Sequence, residues 1–223
     1  LVGHNNGNLL TTGNGNTFLG SNAGIAATTS RYNVLLGHLA GSKTTTGISN
    51  TMVGTYSGNN NITGSRNVFI GYSAGYNETG SDLLYIDNSS TDYPLIYGDF
   101  YNDFADINGD LYVWGTLYEY SDGTKKTNIT PLGNSLDKVL ALNGVSFEWA
   151  DGNEAKGSAS GSEKSIGVIA QDVEVVLPSL VKESRNGEKA VNYSGLIPVL
   201  LEAIKEQQSQ IESLEQRIAE LEQ

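Results

Sequence analysis

Four stretches decide the fold: NTFLGSNAG (16–24), NVLLGHLAG (33–41), NTMVGTYSG (50–58) and NVFIGYSAG (67–75). They align without gaps at a spacing of 17 residues, and Gly3 and Gly7 continue the register backwards. Thr12, Thr29, Thr46 and Thr63 recur at the same interval. Four registered copies are the signature of a stacked repeat. Each copy offers two or three apolar side chains, such as Phe18 and Leu19, then a glycine and a small-residue pair such as Ala23-Gly24. One copy cannot enclose a core. Stacked copies would bury these side chains as columns and set Asn16, Asn33, Asn50 and Asn67 in a ladder. The glycines suit turns that need positive φ. The reading for residues 1–82 is a mainly β repeat shaft, a stacked β-roll or β-helix completed by neighbouring chains.

Composition agrees. The chain has 223 residues, 38% of them hydrophobic, and 27 glycines, which points to a turn-rich β architecture over part of its length. The net charge of −12 argues against a nucleic-acid or anionic-membrane partner for the whole chain. Residues 1–80 carry Arg31, Lys43, Arg66 and Glu78, so the acidity lies in the remainder. The absence of cysteine removes disulfides and thiolate metal sites. No apolar run reaches the ~18 residues of a membrane span. The opening Leu1-Val2-Gly3 fits the middle of a repeat, so a C-terminal piece of a longer protein is expected.

After Gly80 the repeat register breaks. Residues 83–120 read as a β-rich connector with strands in DLLYIDN, PLIYGDF and DLYVWGTLYEY and a hairpin turn at Asn108-Gly109. Asp103, Asp106, Asn108 and Asp110 match a calcium loop only in part, and acidic turn residues are the plainer reading. No metal or other cofactor is expected.

From Ser121 the composition changes again. Residues 121–195 read as a small α+β domain. VSFEWA (145–150) and SIGVIA (165–170) read as strands, DGNEAKGSASGSE (151–163) as an exposed loop, and QDVEVVL (171–177) as a helix stopped by Pro178. Asn186-Gly187 marks a hairpin, and Ser194 is a candidate N-cap for a helix over 196–223. In that helix Ile197, Ile204, Ile211 and Ile218 fall at heptad position a, and Leu200, Gln207, Leu214 and Leu221 at d. A period of 3.5 predicts a left-handed coiled coil. Arg217 at g can reach Glu222 at e of a neighbour. The alternative is a helix packed on its own domain, and the a/d residues leave dimer and trimer both open.

Two resemblances follow. The pattern N-x-φ-φ-G-x-x-A-G resembles the head repeats of trimeric autotransporter adhesins and similar repeats in phage tail fibres. The stretches SDGTKKTNITPL (121–132), LDKVLALNGVSFEW (136–149), IGVIAQDVEVVLP (166–178) and AVNYSGLIPVLLEAIKE (190–206) resemble the endosialidase-type intramolecular chaperones at the C-termini of phage tail spikes and fibres. That likeness implies a homotrimer, a domain that helps the preceding β-rich region fold, and self-release by cleavage before a serine. The nucleophile would be Ser121, its base Lys126, and the scissile bond Tyr120–Ser121. Asp122, Lys125 and Asn128 are possible supporting residues. The usual arginine position of the motif holds Thr124.

The chemistry has its own requirements. A serine hydroxyl is a weak nucleophile that needs a base. Lysine serves only if its pKa falls from ~10.4 to near neutrality. Burial, or a nearby cation such as Lys125, lowers it. Taken alone, Ser-x4-Lys is a weak motif. Three functions are therefore weighed. The first is a self-cleaving, trimerising C-terminal part of a phage tail fibre or spike, a virion component assembled in the host cytoplasm. The second is a non-cleaving adhesive tip whose repeats touch a host glycan or receptor. The third, a membrane-anchored transcription factor, conflicts with the acidic charge.

Overall fold

The computed structural model describes residues 2–150 and 164–222, so the loop expected at 151–163 lies outside the described residues. The chain divides into two units, one ending at Gly115 and one beginning at Thr116.

The first unit is a β-solenoid. Four three-residue strands, β1 (Thr17–Leu19), β2 (Val34–Leu36), β3 (Thr51–Val53) and β4 (Val68–Ile70), pair in parallel at an offset of 17 residues. The stack puts Phe18, Leu35, Met52 and Phe69 in one buried column, with Ala23, Ala40 and Ala74 in another. Both columns are closed by rungs of the same chain. Close stacking also makes glycine obligatory at Gly37, where φ is +135° and an added Cβ would lie 2.5 Å from the carbonyl oxygen of Gly54.

The asparagine ladder forms as expected. Asn33, Asn50 and Asn67 are buried. Each ladder side-chain oxygen accepts the backbone N–H of the next rung. Asn16 Oδ1 accepts from Asn33 at 3.0 Å, Asn33 from Asn50 at 2.9 Å, Asn50 from Asn67 at 3.0 Å, and Asn67 from Leu83 at 3.0 Å. Each Nδ2 donates to the carbonyl that closes a rung, at Ser30, Gly47, Gly64 and Gly80. A buried polar side chain with both ends satisfied joins successive turns without an unpaired group.

Stacking continues past the sequence repeat. β5 (Leu83–Ile86) pairs in parallel with β4 at an offset of 16, and β6 (Ile96–Asp99) and β7 (Phe104–Ile107) then add antiparallel. Phe69, Tyr85, Tyr97 and Phe104 form a chain of ring contacts across this end, with centroids 5.4, 5.3 and 5.8 Å apart. The expected hairpin at Asn108-Gly109 is absent. Asn108 instead turns back on the β6 entry, its backbone N–H donating to Leu95 O at 3.0 Å and its Nδ2 to Pro94 O at 2.6 Å. The strand expected in DLYVWGTLYEY does not form either, and no strand among the described residues pairs with it. Its apolar residues stay in solvent, Trp114 and Tyr120 fully so.

In the second unit, α1 (Ser135–Leu140) precedes an antiparallel pair, β8 (Val145–Phe147) and β9 (Ser165–Gly167). Then come α2 (Ala170–Val176), a 3-10 turn at Pro178–Leu180, the hairpin of β10 (Val181–Glu183) and β11 (Lys189–Val191), and the long α3 (Leu196–Leu221). The hairpin turns at Asn186-Gly187 as expected, with Gly187 at φ +80°. Lys189 pairs with Glu174 of α2. The expected N-cap is corrected. Gly195 occupies that position with no side-chain cap, and the Ser194 hydroxyl points elsewhere.

α3 packs on α1 through Val199 and Ala203, which are buried. One turn on, Glu206 receives the backbone N–H groups of Leu136 at 2.8 Å and Ser135 at 3.0 Å. These two N–H groups have no intrahelical acceptor at a helix start, so a carboxylate from another helix satisfies them. The same bonds, Leu136 first, hold the Glu206 carboxyl below the ordinary glutamate range. No described helix is long and apolar enough to cross a membrane.

Candidate functional site

The candidate site is a tight turn. Asp122 caps a 3-10 turn over Gly123–Lys125, its Oδ1 accepting from the Thr124 N–H at 2.8 Å and the Thr124 hydroxyl at 2.9 Å. Those two bonds lower the Asp122 pKa, the backbone one most. The turn closes with Lys125 N–H donating to Asp122 O at 3.1 Å and Lys126 N–H to Gly123 O at 3.2 Å. It folds five residues back on themselves, so that Lys126 Nζ donates to Ser121 Oγ at 2.7 Å. Asp-x-Thr supplies the local reason: a short acidic side chain that accepts both from the backbone and from a hydroxyl two residues on makes an Asx-type turn. Thr124, where the related motif carries arginine, is thus a turn-forming residue.

The remaining expected residues are placed as follows. Tyr120 is exposed, and so are Ser121 to Lys126. Asn128 adopts a left-handed backbone, φ +54°, just beyond the turn. Residues 116–120 are in neither helix nor strand, and Glu119 accepts a 2.6 Å hydrogen bond from the Ser194 hydroxyl. Sequence reasoning missed that partner and Glu206, because their separations, 75 and about 70 residues, follow no local period.

α3 carries two faces. Val199, Ala203 and Glu206 face α1. Ile197, Leu200, Ile204, Gln207, Ile211, Leu214, Ile218 and Leu221 all stay exposed, Ile204 at 64% and Leu214 at 54%. On the solenoid, His38, Tyr56, Tyr72 and Tyr76 form an outer aromatic group with centroids 5.7 to 6.5 Å apart. A polar row adjoins it through the Asn60 N–H, which donates to Tyr76 O at 3.1 Å; in that row Lys43 Nζ donates to Asn60 Oδ1 at 2.8 Å and Asn60 Nδ2 to Asn77 Oδ1 at 3.4 Å.

Fold and site define a class: a repeat solenoid followed in the chain by a small α+β module that opens on a Ser/Lys turn and closes on a long helix. Residues 121–182 match the peptidase family described as "Chaperone of endosialidase". The chain is also similar to long tail fiber protein Gp37 of Enterobacteria phage T2, 34% identical over 134 residues, or 55% of this chain and 10% of that protein. Gp37 of Enterobacteria phage K3 is 35% identical over 122 residues, 50% of this chain and 9% of that protein. Gp37 of Salmonella phage S16 is 35% identical over 124 residues, 51% of this chain and 16% of that protein. The chain therefore spans a small part of the length of each.

Proposed function

We propose that this chain is the C-terminal part of a phage tail fibre or spike, and that its terminal domain drives trimerisation and folding and then releases itself at Tyr120–Ser121. The observation that carries the reading is the 2.7 Å approach of Lys126 Nζ to Ser121 Oγ, at the residue where the family match begins. The domain boundaries follow: solenoid repeats over 1–82, connector over 83–120, chaperone domain over 121–195 and coiled-coil helix over 196–223.

In the reaction, Lys126 takes the Ser121 hydroxyl proton as Oγ attacks the carbonyl carbon of the Tyr120–Ser121 bond. The proton passes to the departing Ser121 amine as the C–N bond breaks, and water hydrolyses the resulting Tyr120 ester. Lys126 must be neutral to act, and in a single chain it is exposed. Assembly supplies the burial: neighbouring chains cover the turn, with Lys125 as an added cation. Completed assembly thereby switches on the cut, and each chain reacts once.

The exposed a/d seam of α3 supports the trimer. Three tethered domains hold the chains at high effective concentration. Near-identical rungs can pair one repeat out of register at little cost, so an aligned C-terminal end guides the long-range β pairing. After release, the mature fibre is held by a kinetic barrier. The aromatic group around Tyr56 is the face proposed to meet a host-surface glycan, and the fibre is a virion component assembled in the bacterial cytoplasm.

Thr124 favours a second reading, a permanent trimerisation cap that never cuts, because it stands where the related motif carries arginine. Intact mass separates the two. The native chain should yield a fragment of residues 121–223, and Ser121→Ala should not. An intact native chain within formed trimers leaves the second reading.

A further inference from the structure

The motif NYSG (192–195) has no part in the Ser/Lys chemistry, yet its serine bonds Glu119, the residue before Tyr120. We infer that Ser194 is a positioning residue for cleavage: its hydroxyl grips the Glu119 carboxylate and fixes the backbone that leads into Tyr120–Ser121. This rests on the cleavage reading above. Ser194 Oγ donates to Glu119 Oε1 at 2.6 Å, and Glu119 is the second residue before the bond. A hydrogen bond to a carboxylate is among the stronger side-chain contacts.

Ser194 stands on a braced turn. The Asn192 N–H donates to Leu180 O at 2.8 Å, tying it to the turn before β10. The Gly195 N–H donates to Asn192 Oδ1 at 3.0 Å. The Val168 N–H, just after β9, donates to the Tyr193 hydroxyl at 3.2 Å. α3 starts immediately after, with Ile197 N–H donating to Ser194 O at 3.2 Å. Residues 116–120 have no regular structure of their own, so this anchor limits where the Tyr120 carbonyl can lie relative to Ser121 Oγ. On the other side of the bond, the Asp122 turn holds Ser121 and Lys126. The bond is thus gripped on both flanks, and the upstream grip is mounted at the foot of the helix whose seam would be covered in a trimer. Small misplacements of reacting atoms cost large rate factors.

The test uses the full chain and follows the appearance of residues 121–223 together with oligomeric state. Ser194→Ala and Glu119→Ala should each slow cleavage by about tenfold with assembly unchanged. The double variant should be no slower than either single one, since both remove one bond. Ser194→Thr and Glu119→Gln keep a donor and an acceptor and should restore most of the rate. Native-rate cleavage of Ser194→Ala, or an equal loss in Ser194→Thr, overturns the inference and leaves the cleavage reading intact. A native chain that stays whole overturns the cleavage reading itself. Backbone 15N relaxation on the non-cleaving Ser121→Ala chain gives an independent readout. Adding Ser194→Ala should raise fast backbone mobility over residues 117–121, and unchanged mobility there overturns the grip.

Discussion

The solenoid and the C-terminal unit solve the same problem in opposite ways. The solenoid buries Phe18, Leu35, Met52 and Phe69 against its own rungs and pairs its buried asparagines along a single chain. Among its described residues the C-terminal unit buries Val173, Val199, Ala203 and Ser135 and little else, and leaves the whole a/d seam of α3 in solvent. A soluble helix that exposes a regular row of Ile and Leu presents a binding face. The difference supports the proposed roles: the repeat region is held by its own stacking, and the tail offers an uncovered face that the proposed assembly would cover.

The largest effect should come from the seam. Leu200→Asp with Ile204→Asp places charges at adjacent d and a positions, and should abolish assembly in sedimentation equilibrium. Solenoid melting should not change, and a coupled loss would break the contrast. Next is the ladder. Asn50→Ala leaves the Asn67 N–H and the Gly64 carbonyl without their partner. Two buried unpaired groups at roughly 1–3 kcal/mol each should lower solenoid stability by about 4 kcal/mol in denaturant titration, with oligomeric state unchanged. Gly37→Ala should cost a comparable amount, about 4 kcal/mol, through its disfavoured backbone and the clash of a Cβ with the Gly54 carbonyl of the next rung.

The smallest effect is a pH dependence. Glu206 has a depressed pKa because it accepts two backbone N–H groups at the start of α1. A carboxylate depressed in the folded state stabilises fully above its unfolded pKa, ~4.3, and that contribution is lost as pH falls through the folded value. The α1–α3 junction should therefore loosen below about pH 4, visible as lower protection of the Ser135 and Leu136 amides once the intrinsic pH dependence of exchange is divided out. In Glu206→Gln the protection of the same amides should not change with pH over that window.

The solenoid was legible because its interactions repeat. A side chain that must bond the next rung's backbone has to recur at the rung length, so Asn16, Asn33, Asn50 and Asn67 expose the geometry directly. The continuation into β5 was hidden because the last turn is one residue shorter. The heptads of α3 were legible for the same periodic reason. What could not be read was non-periodic. The Glu206 cap on α1 and the Ser194 grip on Glu119 join residues about 70 and 75 apart. Ser194 looked like an N-cap because serine before an apolar helical run ordinarily is one, but here its hydroxyl bonds a carboxylate. The aromatic alternation of residues 111–120 signalled a strand, yet a strand needs a neighbour to pair with, and the described residues provide none there.

The central claim is that assembly switches on the cut, because Lys126 lies exposed beside Ser121 in one chain and needs cover to become a base. The direct measurement is intact mass over time for the native chain and for Leu200→Asp with Ile204→Asp, each with Ser121 and Lys126 unaltered. The account predicts a fragment of residues 121–223 from the assembled native chain and none from the monomeric variant. Equal cleavage of the monomeric variant would contradict it.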